Sequence, residues 1–256
     1  MTIEEEKRIQ ALEQFELLDT LPEKEFDDIV ELASAFFHTP ISLISLLDSH
    51  RQWFKARIGM AAKETPIEQA FCYHAIKDPD HVMVVPDSLM DDRFINNPLA
   101  TGSPHVRFYA GAPLVTRDGY ALGTLCVIDS QPRNFSEEQE RVLQILAHKV
   151  IERMENRKNT LTAKKYVEQS EKNKEQYIAA LEETLYALSH KVRKPVATVI
   201  GMTQQIVKGE LNEDEQKEYT NILKKSALEL DEYIHELNDF IHQKKIKINR
   251  SNDKSD

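Results

Sequence analysis

The chain has 256 residues, 41% of them hydrophobic and 30% charged, with a formal net charge of -10 at pH 7. That suits one core-forming domain plus an extended part, or two small domains, and the acidic balance argues against nucleic acid and anionic membranes as default partners. Two cysteines, an acidic N-terminus and no apolar run of membrane-spanning length lead to the expectation of a soluble, cytoplasmic protein without a disulfide framework.

Residues 1–18 read as an amphipathic helix with Ile9, Leu12, Phe15 and Leu18 on one side. Asp19-Thr20-Leu21-Pro22 is a turn, and Pro22 is placed to open a second helix through Phe37 with Phe26, Ile29, Val30 and Ala33 on its apolar face. Residues 41–47 are β-branched and apolar and turn at Asp48-Ser49-His50 into a second strand, 51–58. Residues 65–76 suggest a short helix bearing Phe71, Cys72 and His74, and 82–85 a buried strand. The stretch 91–103, with Asn97-Pro98 and Gly102, reads as a long loop. Strands at 108–116 and 120–129 are joined by Arg117-Asp118-Gly119, and Ser136-Glu137-Glu138-Gln139 is a capping box opening a long helix.

This order predicts an α+β domain around an antiparallel sheet with flanking helices, over residues 1–152. It resembles the GAF family of small-molecule sensor domains. The resemblance rests on Thr39 to Asp48, Arg51-Gln52-Trp53-Phe54-Lys55, Ala70 to Ile76, Asp92-Arg93-Phe94, Tyr109 to Leu114 and Gly123 to Asp129. It implies a ligand cleft between the sheet and the 91–103 loop and leaves both ligand and cofactor unknown. Arg93, His105, Arg107 and Tyr109 are candidates to line an anionic or polar pocket, with Asp92-Arg93 alternatively a loop-stabilising pair. Cys72 and His74 are further candidates. Lying two apart on a helix, they do not share a face as zinc ligands at i, i+4 would, so no metal site is expected. Tyr73 interrupts the Cys-His dipeptide of bilin-binding relatives, and packing is the expected role of both cysteines.

From Ser136 to Lys194 there is neither glycine nor proline. Residues 153–177 read as a signalling helix between domains, with a loosened or offset joint expected across the polar stretch 164–176. From 178 to 206 the apolar positions Ile178, Leu181, Leu185, Leu188, Val192, Val199, Met202 and Ile206 follow a heptad seam, which Pro195 shares. Gly209 closes this helix, and Asn212 with Glu215 caps the next. The second seam is Leu223, Ala227, Leu230, Ile234, Leu237 and Ile241. Two such stripes on a hairpin at 178–243 predict a homodimeric four-helix bundle. Residues 244–256 read as a disordered polar tail.

His190 takes an outward heptad position one turn before Pro195, which should bend the helix. His190, Arg193 and Pro195 resemble the phospho-acceptor box of sensor histidine kinases. Lys191 replaces the acid that serves as general base in that family, and Lys194 the Thr or Asn associated with phosphatase action. Lys191 and Lys194 would instead favour docking of an acidic partner. With no glycine-rich phosphate loop, and an end soon after the second hairpin helix, the sequence predicts no autonomous kinase activity. The expectation is a two-component signalling protein that senses a small ligand or redox state. It would act on a response-regulator receiver domain or an intact histidine kinase. The alternative is a split histidine kinase, with His190 phosphorylated by a separate ATPase subunit.

Overall fold

The computed structural model describes residues 2–209 and 212–252, with side chains through residue 242. Two compact units meet between Lys165 and Tyr166. In the first, strands β1 (Ile41–Leu47), β2 (Arg51–Ile58), β3 (Glu64–Pro66), β4 (Met83–Val85), β5 (Phe108–Val115) and β6 (Ala121–Asp129) form one antiparallel sheet in the order β3-β2-β1-β6-β5-β4. Every residue of β1 and of β6 is buried, so both faces of the sheet are covered. Alternation along β1 divides the core: Ile44 and Leu46 pack with helices α1 (Ile3–Glu13), α2 (Lys24–Phe37) and the start of α5 (Glu137–Lys208). Leu43 and Leu47 pack on the other face with Phe71 and Cys72 of α3 (Phe71–Ala75), and with Phe94 and Val106.

Several local expectations are corrected. Helix α1 ends at Glu13, and Glu16 and Asp19 take positive φ values of 49° and 59° as the chain turns across the sheet. Helix α2 begins at Lys24 rather than Pro22, because Glu23 is extended and its carboxylate is drawn into ion pairs with Lys55 and Arg157. The stretch 65–76 is not one helix. Thr65 and Pro66 pair with Gln52 and Arg51, a strand edge where proline's missing N–H costs nothing, and a 3₁₀ turn at Ile67–Gln69 leads into α3. The 91–103 loop contains a short helix, α4 (Pro98–Thr101), because Asn97 Oδ1 accepts from Leu99 N at 2.9 Å.

The capping box that opens α5 is formed: Ser136 N donates to Gln139 Oε1 at 2.9 Å and Gln139 N to Ser136 Oγ at 3.3 Å. Helix α5 continues through 156–176 and through Pro195, with helical backbone across the expected joint. In the second unit Gly209, at φ 75°, follows its end. Helix α6 (Glu213–Asn252) opens on a second reciprocal box, Asn212 N to Glu215 Oε2 and Glu215 N to Asn212 Oδ1, each 2.9 Å. Its helical backbone continues to Asn252, beyond the point where a disordered tail is expected; 253–256 lie outside the described residues.

One irregularity organises the first unit. Ile44 pairs with Ala56 but Ser45 with Phe54, so Lys55 is the extra residue of a β-bulge in β2. The bulge turns Lys55 to the helical side, where its side chain is fully buried. Its Nζ donates to Glu23 Oε1 at 2.6 Å, Thr20 Oγ1 at 2.8 Å and the Leu21 carbonyl at 2.9 Å, and lies over the Phe26 ring. Arg157 of α5 meets the same carboxylate at 3.0 Å and 3.1 Å and holds the Phe15 and Glu16 carbonyls at 3.0 Å each. Replacing Glu23 leaves a buried ammonium without its counter-charge. Because the Glu23 side chain is about one-third exposed, the cost is set below that of a fully buried pair. Glu23→Ala should lower stability by about 1–3 kcal/mol in urea unfolding. Lys24→Ala, which removes only an exposed i,i+4 pair with Asp28, should change it by under about 0.5 kcal/mol.

Candidate functional site

A cavity of about 20 Å³ lies between the sheet and α3, roughly the room of one water molecule. Leu43, Phe54, Met60, Phe71, Leu99 and Ile128 supply apolar wall, and among the described residues no charged side chain lines it. Its polar groups are Gln52, Thr65, Cys72 and Tyr109. Gln52 Oε1 and Thr65 Oγ1 are buried there without a hydrogen-bond partner, which costs free energy unless a guest molecule satisfies them.

Three hydroxyls converge on the sulfur of Cys72. Thr124 Oγ1 donates at 2.9 Å, Ser45 Oγ at 3.2 Å and Tyr109 OH at 3.3 Å, with Ser45 Oγ and Thr124 Oγ1 3.1 Å apart. Burial pushes the Cys72 thiol up, but hydrogen bonds from Cys126, Ser45, Thr124 and Tyr109 outweigh it and bring the pKa to about 7. Its hydrogen bond to Cys72, then burial, pushes Cys126 well above the usual thiol range. Burial, then the proximity of Cys72, raises Tyr109, which therefore stays a protonated donor. Tyr109 reaches this cluster by lying across Gly111: a Cβ on Gly111 would sit 2.1 Å from the Tyr109 hydroxyl oxygen.

Of the six candidate pocket residues, the structure brings together Cys72 and Tyr109. His74 is half-buried edge-on to Phe94 at 5.0 Å, with its pKa lowered by burial and then by Lys77 and Arg93. Arg93 forms a two-pronged pair with Asp91, at 2.9 and 2.6 Å, rather than with Asp92. Arg107 does the same with Asp87, at 2.7 and 2.6 Å, and His105 is exposed at a φ of 61°. Sequence reasoning missed Ser45, Gln52, Thr65, Thr124 and the contact of Cys126 with Cys72. The available signal was the placement of Ser45 and Thr124 at inward positions of otherwise apolar strands.

In the second unit His190 is exposed, with its ring edge-on to Tyr186 at 4.6 Å between centroids. Lys191 is engaged with α6: its Nζ meets Glu236 Oε2 at 3.0 Å and lies over the Tyr233 ring, and Glu236 raises its pKa. Arg193 and Lys194 are exposed, and Pro195 is buried.

Residues 22–152 match the GAF domain and residues 180–242 the His Kinase A (phospho-acceptor) domain. The chain belongs to the GAF family, with a phospho-acceptor domain following the GAF domain. A cyclic di-GMP phosphodiesterase from Pseudomonas aeruginosa is 40% identical over 167 residues, 65% of this chain and 28% of that relative. The chain thus spans less than a third of that relative's length. Among solved structures, the GAF domain of an Acinetobacter phosphoenolpyruvate-protein phosphotransferase has 18% identity and a TM-score of 0.45, covering 61% of this chain and 95% of that one. A substrate-bound free methionine-R-sulfoxide reductase from Neisseria meningitidis has 17% identity and a TM-score of 0.45, covering 62% and 95%. Among the described residues no helix is long and apolar enough to cross a membrane.

The close approach at Gly111 gives a direct test of the thiol cluster's packing. Gly111→Ala should cost about 1–3 kcal/mol by forcing the Tyr109 ring aside. In a Tyr109→Leu background the same change should cost less, and a double-mutant cycle in urea measures that coupling.

Proposed function

We propose that the GAF half senses a small molecule or redox state in the cavity beneath α3. Helix α5 then carries the change to the hairpin, which dimerises and offers His190 to a partner. The partner would be a response-regulator receiver domain or an intact histidine kinase. The observation that carries this reading is the apolar stripe left uncovered on the hairpin of one chain. Ile178 is 43% exposed, Leu185 48%, Ile234 55% and Ile241 50%, all on the heptad seams. A second copy of the hairpin covers both stripes in a four-helix bundle.

His190 lies off those seams and stays accessible. The exposed Lys191–Glu236 pair contributes little to the fold, so Lys191 can exchange Glu236 for a partner's carboxylate. Arg193 and Lys194 add positive charge beside the histidine, complementary to the acidic phosphorylation site of a receiver domain. The cyclic di-GMP phosphodiesterase relative suggests that sensor halves of this type are coupled to different outputs. It does not supply the ligand: a cavity lined without a cation suits a neutral guest better than a nucleotide anion. The exposure of His190 in a phospho-acceptor domain also supports the split-kinase alternative, and the following experiment separates the two.

The full chain should sediment as a dimer, and Leu188→Asp or Leu230→Asp should dissociate or unfold it; a well-folded monomeric wild type would overturn the bundle. His190→Ala should leave the dimer intact. With a receiver domain, a kinase subunit and ATP supplied, phosphate transfer that disappears in His190→Ala identifies the phosphotransfer role. If the hairpin only docks, His190→Ala is nearly silent, while Lys191→Glu with Lys194→Glu abolishes a binding that also weakens with added salt. Partner binding indifferent to all three changes would contradict both versions.

A further inference from the structure

Thr124 stands two residues before Cys126 on β6, so the two side chains share one face of the strand. Thr124 Oγ1 lies 2.9 Å from Cys72 Sγ, and Cys126, next along that face, is near enough to Cys72 for each thiol to shift the other's titration. Cys72 also forms part of the cavity wall. The cavity is thus lined by Cys72, whose thiol is supplied with hydroxyl donors, and by Gln52 and Thr65, each with a buried unpaired oxygen, and it has room for one molecule near the size of water.

We propose that this cavity is a site reactive toward hydrogen peroxide, the smallest peroxide, in which Cys72 is the nucleophile and Cys126 the resolving thiol. This rests on the reading of the GAF half as a sensor and names the chemistry of that same site. The Cys72 thiolate attacks one peroxide oxygen; the S–O bond forms and the O–O bond breaks. The departing hydroxide takes up the proton that Cys72 gave up and leaves as water. Cys126 then attacks the Cys72 sulfenic acid; the S–S bond forms and the S–O bond breaks. The hydroxyl leaves with the Cys126 proton as a second water. Two thiols are oxidised to a disulfide and one hydrogen peroxide is reduced to two waters.

The hydroxyls that converge on Cys72 stabilise the attacking thiolate, and an uncharged peroxide enters an uncharged cavity without the desolvation cost of an ion. Gln52 Oε1 and Thr65 Oγ1 can accept its O–H groups. Cysteines buried merely for packing would predict the opposite behaviour, inertness until the protein unfolds.

The test is to treat the folded full-length chain with hydrogen peroxide, block residual thiols and map Cys72 and Cys126 by mass spectrometry. The wild type should lose two hydrogens as a Cys72–Cys126 bond. Cys126→Ser should accumulate a sulfenic acid on Cys72, captured by dimedone, and Cys72→Ser should leave Cys126 unmodified. Thr124→Val, which removes one donor and no sulfur, should slow oxidation about tenfold, and Thr124→Ser should restore it. Circular dichroism and thermal unfolding confirm that the variants are folded. Oxidation of Cys72 no faster than that of free glutathione, or only above the unfolding transition, would overturn the proposal. So would equal rates in Thr124→Val and wild type. Because the readout is the chemical state of two sulfurs, failure here leaves the small-molecule reading of the cavity standing. Failure of the dimer or docking experiments leaves the thiol chemistry standing.

Discussion

Much of the sensor unit depends on where the Lys55 ammonium ends up. A bulge in β2 turns this residue to the helical side of the sheet and buries its side chain completely. A buried ammonium is tolerated only when its protons and charge are answered. Glu23, Thr20 and the Leu21 carbonyl answer it, and this fixes the path of the chain between α1 and α2. Glu23 is shared with Arg157, whose guanidinium also holds the carbonyls of Phe15 and Glu16. One carboxylate therefore ties strand β2, the N-terminal turn and helix α5 at a single point.

The same strand serves the opposite face. Gln52 and Phe54 of β2 line the cavity, and the bulged residue directly follows Phe54. A change in the cavity that moves Phe54 acts on the neighbouring backbone of Lys55, and through Glu23 on Arg157. The packed core between these groups is stiff, and a bulge is the point in a strand where backbone geometry is most readily re-aimed. Such an arrangement would supply a physical route from a small guest to α5 at Arg157. A guest of that size has few contacts to offer, so its leverage depends on the stiffness of the route.

The architecture was legible because it rests on local patterns. The β-branched, apolar run at 41–47, the turn at Arg117-Asp118-Gly119 and the capping residues Ser136 and Asn212 each predicted an element that forms. Errors fell where a distant partner overrode a local signal. Pro22 looked like a helix opener, but Glu23 was held out of the helix by Lys55 and Arg157. Residues 65 and 66 looked helical until β2 offered them a strand edge. The cavity was half legible. Arginines in a loop suggested an anion pocket, yet each is neutralised by a nearby aspartate, Asp91 or Asp87. The converging hydroxyls come from strands far apart in sequence, and only sheet order β1-β6-β5 brings them to one sulfur.

His190 and the apolar seams of the hairpin follow a different logic, since heptad spacing alone marks them and dimerisation would complete them. The sensor and hairpin would then be joined functionally through α5. Hydrogen–deuterium exchange on the full chain, comparing wild type with Glu23→Ala under native conditions, tests that link most directly. Loss of the shared carboxylate should speed exchange in α5 around Arg157, and the effect should reach amides of the 178–206 hairpin segment. Faster exchange confined to the 14–23 turn, with the hairpin unchanged, would contradict the account.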